Sequence, residues 1–197
     1  MDAIAQRVNA VLAINGDYFS FQKGMDGGGY LVRQGVKYNE KPIWGRDVLL
    51  IDAQGDFYVE PKLTDELIAR YEEMGVVNSF NFGPGLVVDG KKLETYHAFY
   101  NSAQDRAQRC AIAQVKRGEL EYLCVVCEGS QQSPDGGMTI LEFADFVYSL
   151  GVETAYNLDG GNSSAMIFQG EKINAVENRD LRPLSDIIYF ASAAKGA

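Results

Sequence analysis

The run Asn157-Leu158-Asp159-Gly160-Gly161-Asn162-Ser163-Ser164 sets a carboxylate, two glycines, two amides and two hydroxyls between two short apolar stretches. Those flanks, Thr154-Ala155-Tyr156 and Ala165-Met166-Ile167-Phe168, read as strands, so the polar residues stand at a strand tip and form a pocket floor. The glycine pair permits positive φ and close backbone approach, while Asp159, Asn162 and Ser163 supply acceptors and donors. The same residue types also close ordinary turns on their own backbone.

A second spacing with chemical potential is Cys124-x-x-Cys127, which suggests metal or redox chemistry. Its setting argues otherwise. The segment from Leu120 to Cys127 reads as a strand, and positions three apart on a strand face opposite sides. With His97 the one histidine and Cys110 the one further cysteine, a zinc site also lacks ligands. Buried, unreactive thiols are expected. His97 sits in a polar loop, and Trp44 and Tyr38 read first as hairpin or core residues, although aromatic rings also stack on sugar faces.

The elements that must position these groups follow from periodicity and turn chemistry. A strand at Val11–Ile14 enters a polar, glycine-rich loop over 15–29. Two hairpins follow, one turning at Gln34-Gly35 and one at Asp52-Ala53-Gln54-Gly55. A helix is expected from Leu63 to Met74, with Thr64 as cap and Gly75 as terminator. A bend at Gly83-Pro84-Gly85 precedes another strand, and residues 95–109 read as a loop over the site. A long hairpin then pairs Ala111–Val115 with Leu120–Cys127. The clearest helix is Thr139–Leu150, where Thr139 and Glu142 form a capping box and Ile140, Phe143, Ala144 and Val147 share a face. Strand, helix, strand is therefore the order around 120–158, which puts Asp159 at the carboxyl end of a strand. The expected fold is α+β, a single mixed domain with a largely antiparallel β-sheet and a few packed helices.

Whole-chain properties bound the function. The 197 residues suit one domain, and 46% hydrophobic against 23% charged content argues for a folded chain. The net charge of −9 disfavours general nucleic-acid binding, which relies on lysine and arginine to neutralise phosphates. No stretch approaches ~20 apolar residues, so no transmembrane segment is expected. Residues Met1–Ala10 lack the basic start and apolar run of a signal peptide, and the early strand suggests a start cut near a domain boundary, lacking a natural amino-terminal segment.

Six separated motifs coincide with one family: Ala13 to Phe19, Phe82 to Gly90, Arg109 to Ala113, Gly137 to Glu142, Asn157 to Ser164, and Arg182 to Asp186. In this order they resemble the phosphodiester glycosidase family, that of the uncovering enzyme, and its bacterial branch most. The resemblance runs from about residue 11 to about residue 191. It implies cleavage of a sugar from the phosphate on its anomeric carbon. It carries Asn15, Gly16, Asp17, Arg109, Asp159, Gly160, Gly161 and Arg182 into the site. Relatives often have Val-Asp-Gly where this chain has Cys127-Glu128-Gly129, so a carboxylate survives there. Ala113 stands where glycine is usual.

Glycosidases commonly use two carboxylates, and Asp159, Glu128 and Asp17 are the candidates. A departing phosphate is already a stable anion, so the burden shifts from proton donation towards arginine, here Arg109 and Arg182. Asn15, Gly16, Gly160, Gly161, Asn162 and Ser163 complete the expected substrate site. No cofactor is expected to be required, and a divalent cation has a place if Asp159, Asp17 and Glu128 converge. The partner implied is a sugar-phosphate or polysaccharide of the cell envelope or exopolysaccharide, and the location extracellular or in the envelope. The alternative is a non-catalytic carbohydrate- or sugar-phosphate-binding envelope module with the same pocket.

Overall fold

The computed structural model describes residues 1–17, 29–41, 45–96, 104–129, 136–175, 183–184 and 186–192. His97, Trp44 and Arg182 lie outside them, as do residues 97–103 of the loop expected over 95–109. A short helix, α1 (Asp2–Arg7), comes first, where the sequence pattern led directly into a strand. Six residues without a side-chain cap are too few to show a helical period.

β1 (Ala10–Asn15) follows, then the hairpin β2 (Leu31–Arg33) and β3 (Val36–Asn39), then β4 (Val48–Asp52) and β5 (Phe57–Glu60). α2 (Asp65–Glu73) begins where the Thr64 hydroxyl accepts the Leu67 N–H and ends before Gly75 at φ +79°. β6 (Val76–Phe80) leads through the bend at Gly83-Pro84, a cis peptide, into β7 (Gly85–Val88) and the two-residue β8 (Lys91–Lys92). β9 (Arg109–Gln114) and β10 (Tyr122–Cys127) form the long hairpin. α3 (Ile140–Ser149) carries the complete Thr139/Glu142 capping box. After it come β11 (Thr154–Leu158), β12 (Met166–Phe168), β13 (Glu171–Lys172) and β14 (Ile187–Ala191).

Among the described residues every strand pairing is antiparallel, in sheets ordered β13-β12-β1-β14, β10-β9-β11-β7-β8, β2-β3 and β5-β4-β6. The five-stranded sheet is the central layer, and β9 is buried along its whole length because both of its faces are covered. On one face Ala111, Ala113 and Ala155 are small, which lets Ile140, Phe143, Ala144 and Val147 of α3 seat against them. On the other, Cys110, Ile112, Tyr156 and Leu158 pack with Ile14, Leu49, Phe57 and Phe80 from two neighbouring sheets. The chain is a single mixed α+β domain, mostly sheet, and no helix among the described residues is long and apolar enough to cross a membrane.

One topological consequence positions the site. β10 and β11 both run antiparallel to β9, which lies between them, so they run parallel to each other with α3 as their crossover. The ends of β10 and β11 and the start of β9 therefore share one edge of the sheet. Glu128, Asp159 and Arg109 are the residues found there.

Candidate active site

Asp159 follows the last residue of β11 and is 5% exposed. Its N–H donates to the Gly16 carbonyl (3.4 Å) and its carbonyl accepts from Asn15 Nδ2 (2.7 Å), so the end of β1 holds both sides of its backbone. Asn15 also accepts the Ala165 N–H through Oδ1 (3.1 Å) and donates its own N–H to the Ala165 carbonyl (3.3 Å). One buried amide thus clasps both ends of the 159–165 turn. Between them Gly161–Ser163 make a single 3-10 turn, with Gly161 at φ +58°. Gly160 donates to Asp159 Oδ1 (2.9 Å), Gly161 donates to the Gln108 carbonyl (2.9 Å), and a Cβ on Gly160 would meet that carbonyl oxygen at 2.9 Å. The two glycines are needed for different reasons, space at Gly160 and conformation at Gly161.

Several side-chain oxygens on this turn and on residues beside it lack partners among the described residues. Asn162 Oδ1, Ser163 Oγ, Ser164 Oγ, Asn157 Oδ1 and Gln108 Oε1 are buried and, among the described residues, have no hydrogen-bond partner. The NH2 ends of Asn157 and Gln108 donate to the carbonyls of Gly83 (2.8 Å) and Ala175 (3.0 Å), which leaves their oxygens as acceptors. Buried polar atoms are nearly always satisfied, so such a group calls for an explanation, and a donor-rich ligand supplies one. Asn157 was visible in the motif but Gln108 was not, because nothing in its neighbourhood marks it.

Arg109 is buried and pairs with Cys127 of β10, while on its other side the β11 register runs to Leu158 opposite Cys110, one residue short of Asp159. Nε donates to the Met138 carbonyl (2.9 Å) and Nη2 to that of Asp105 (2.6 Å). Among the described residues it has no carboxylate partner within ion-pair distance, and burial lowers its pKa from the ordinary arginine value. Glu128 is exposed, and its Oε1 accepts the N–H of Ala175 (2.6 Å), the residue whose carbonyl accepts from Gln108.

Asp17 lies apart from these groups. Its carboxylate accepts the N–H groups of Asn81 (2.9 and 3.0 Å) and Phe82 (2.9 Å) and a bond from Arg33 Nη2 (3.2 Å). Arg33 also pairs with Asp186 and lies over the Phe80 ring, 4.2 Å from its centroid. Burial pushes the Asp17 pKa up to about 6 against the opposing charge of Arg33, with Asp186 adding to the rise. Gly16 is fixed by the same cluster, since a Cβ there would fall 2.4 Å from Asp186 Oδ1. The Asp17 carboxylate is thus engaged by its own partners, and no group of three His, Cys, Asp or Glu residues among the described ones is placed to hold a metal ion. Cys124 and Cys127 do lie on opposite faces of β10, and burial raises both thiol pKa values, that of Cys124 to about 12.

A phosphodiester glycosidase family profile matches residues 8–191. The chain belongs to that family. It is 27% identical over 195 residues to the SPbeta prophage-derived uncharacterized protein YomE of Bacillus subtilis (strain 168), covering 96% of this chain and 29% of that protein. Among solved structures, its fold matches the catalytic domain of zebrafish N-acetylglucosamine-1-phosphodiester alpha-N-acetylglucosaminidase, auto-inhibited by its pro-peptide, at a TM-score of 0.72 and 20% identity. That match covers 97% of this chain and 66% of the zebrafish chain. A hypothetical protein from Synechocystis matches at 0.61 and 15% identity, over 89% of this chain and 50% of its own. The chain thus spans under a third of YomE and just under two thirds of the zebrafish structure. As a member of this family it carries a glycosidase-type fold, with one buried carboxylate on a braced turn and one buried guanidinium at the same sheet edge.

Proposed function

We propose that this phosphodiester glycosidase hydrolyses a sugar-1-phosphodiester in cell-envelope or exopolysaccharide material outside the cytoplasm. The observation that carries this is the Asp159 turn, a carboxylate gripped through its backbone by Asn15 and Gly16 among buried oxygens that need donors. Sugar hydroxyls are such donors, so Asn162, Ser163, Asn157 and Gln108 orient the ring. Asp159 acts at the anomeric carbon or on the water that attacks it. The C–O bond to phosphate breaks, the phosphate leaves as an anion with the bonding electrons, and water supplies the new anomeric hydroxyl. The buried charge of Arg109, joined by Arg182, stabilises the leaving phosphate. Glu128 is the second carboxylate, and Asp17 is a positioning residue because its acceptors are already engaged.

No resident metal is required on this reading, which gives the chemistry to Asp159, Glu128 and two arginines. Chelation with EDTA leaves turnover unchanged, and a loss restored by a divalent cation would overturn that point. The reading as a whole is tested with a p-nitrophenyl phosphodiester of a sugar at its anomeric position. Release of free sugar by the wild type, and its loss in Asp159→Asn with the fold retained by circular dichroism, is expected. Binding without release would make the chain a carbohydrate-binding module.

A further inference from the structure

A cleft of about 580 Å³ opens between α1, the β2-β3 hairpin, β6 and the edge strand β14. It lies beyond Asp186, which packs directly on Gly16, the residue that receives the Asp159 N–H. Its lining joins aromatic rings (Tyr38 and Tyr189) to hydrogen-bonding groups (Arg7, Gln34 and Asn78). The Tyr38 ring is 67% exposed on the rim, a position that core packing does not explain.

The hairpin tip that forms one wall is held in an uncommon conformation. Gln34 and Gly35 sit at φ +50° and +75°, the pair of positive values a two-residue type I′ turn requires. Asparagine, aspartate or glycine usually takes the first of these positions, because a longer side chain gains nothing there to offset the left-handed backbone. Here the turn is pinned to β6, with the Gln34 N–H on Asn78 Oδ1 (3.0 Å) and the Gly35 N–H on the Val77 carbonyl (2.9 Å). The glutamine side chain then crosses the cleft wall to the Tyr189 hydroxyl (3.0 Å). The same Gln-Gly pair closes the β12-β13 hairpin at Gln169 (φ +49°) and Gly170 (φ +84°), so what sets Gln34 apart is its reach across the cleft wall to Tyr189.

Charge decides the ligand class. Arg33 is matched by Asp17 and Asp186, and Arg7, without an ion pair among the described residues, is the one unmatched charge of the lining. The cleft is close to neutral in a chain of net charge −9, so neither a polyanion nor a cation suits it. The exposed Tyr38 face beside amide and guanidinium donors fits a pyranose ring, with C–H groups on the aromatic face and hydroxyls on the polar groups.

We propose that this cleft binds neutral sugar units of the substrate at a distance from the scissile bond, so that the enzyme acts on an oligosaccharide chain and not on an isolated sugar phosphodiester. The proposal rests on the function given above for its link to turnover, and its test separates the two. The first arm titrates the protein with neutral hexasaccharides of glucose, mannose, galactose and N-acetylglucosamine, followed by backbone amide NMR. At least one is expected to shift Gln34, Gly35 and Asn78, with the shifts lost in Tyr38→Ala. No shift at these amides with any of the four, or shifts only around 159–164, would overturn the cleft.

The second arm compares kcat/KM for a sugar-1-phosphodiester bearing several sugar units with that for the p-nitrophenyl phosphodiester. Tyr38→Ala is expected to lower the ratio about three- to tenfold, the loss of one aromatic stacking contact. An unchanged ratio refutes the extended site. Cleft shifts without hydrolysis of either substrate would leave the sugar site standing and reject the enzymatic reading alone.

Discussion

Asp17 accepts hydrogen bonds from the N–H groups of Asn81 and Phe82 and from Arg33, whereas Asp159 turns one carboxylate oxygen back to the N–H of Gly160. Their expected substitution phenotypes differ accordingly. Asp159→Asn keeps the shape of the turn and removes the charge, so turnover falls ~10²- to 10⁴-fold while stability changes little, as paired activity and thermal-melt measurements would show. Asp17 instead links to stability. Its folded pKa of about 6 lies above its ordinary value of 3.8, so between those values the folded protein binds the extra proton. Stability from this group is therefore highest at low pH and is lost as pH rises from about 4 to about 6, by up to about 3 kcal/mol. The difference in unfolding free energy between wild type and Asp17→Asn should carry that slope, and a difference independent of pH would refute it. Asp17 was legible as a motif residue, but its work was not, because its partners Arg33 and Asp186 lie 16 and 169 residues away.

At the scale of elements, the long hairpin, α2, α3 and the strand before Asp159 were legible because each has a local signature: turn glycines, a threonine cap, or an apolar face of helical period. α1, β8 and β13 were not, being too short to carry a period. The α3 capping box is worth about 1 kcal/mol, and Thr139→Ala should lose that much in chemical denaturation. Phe143 is fully buried between α3 and the central sheet, so Phe143→Ala should cost about 3–5 kcal/mol. Strand spacing also bears on the chemistry. Glu128 follows β10 and Asp159 follows β11, with β9 between them, so their backbones stand about 10 Å apart. Carboxyl groups ~6.5–9.5 Å apart leave room for a water between them, and this backbone spacing permits that arrangement. The expected first product has inverted anomeric configuration by NMR, and retention would contradict the assignment of Glu128 as partner.

At the scale of the molecule, the sheets converge so that the tip of β1, the turn after β11 and the starts of β7 and β9 meet, and this convergence makes the site. Composition set the class, and motif order set the family, but which groups face one another depends on how four sheets stack, which no local pattern encodes. Arg109 shows the difference: its type and place were legible, while its use of two donors to tether the Met138 and Asp105 carbonyls was not. The central claim is that the bond broken is the one between the anomeric carbon and oxygen. Hydrolysis of a sugar-1-phosphodiester in water enriched in oxygen-18, followed by mass spectrometry of both products, tests it most directly. The account predicts the label in the released sugar and none in the phosphate monoester; label in the phosphate would mean cleavage at phosphorus and would contradict it.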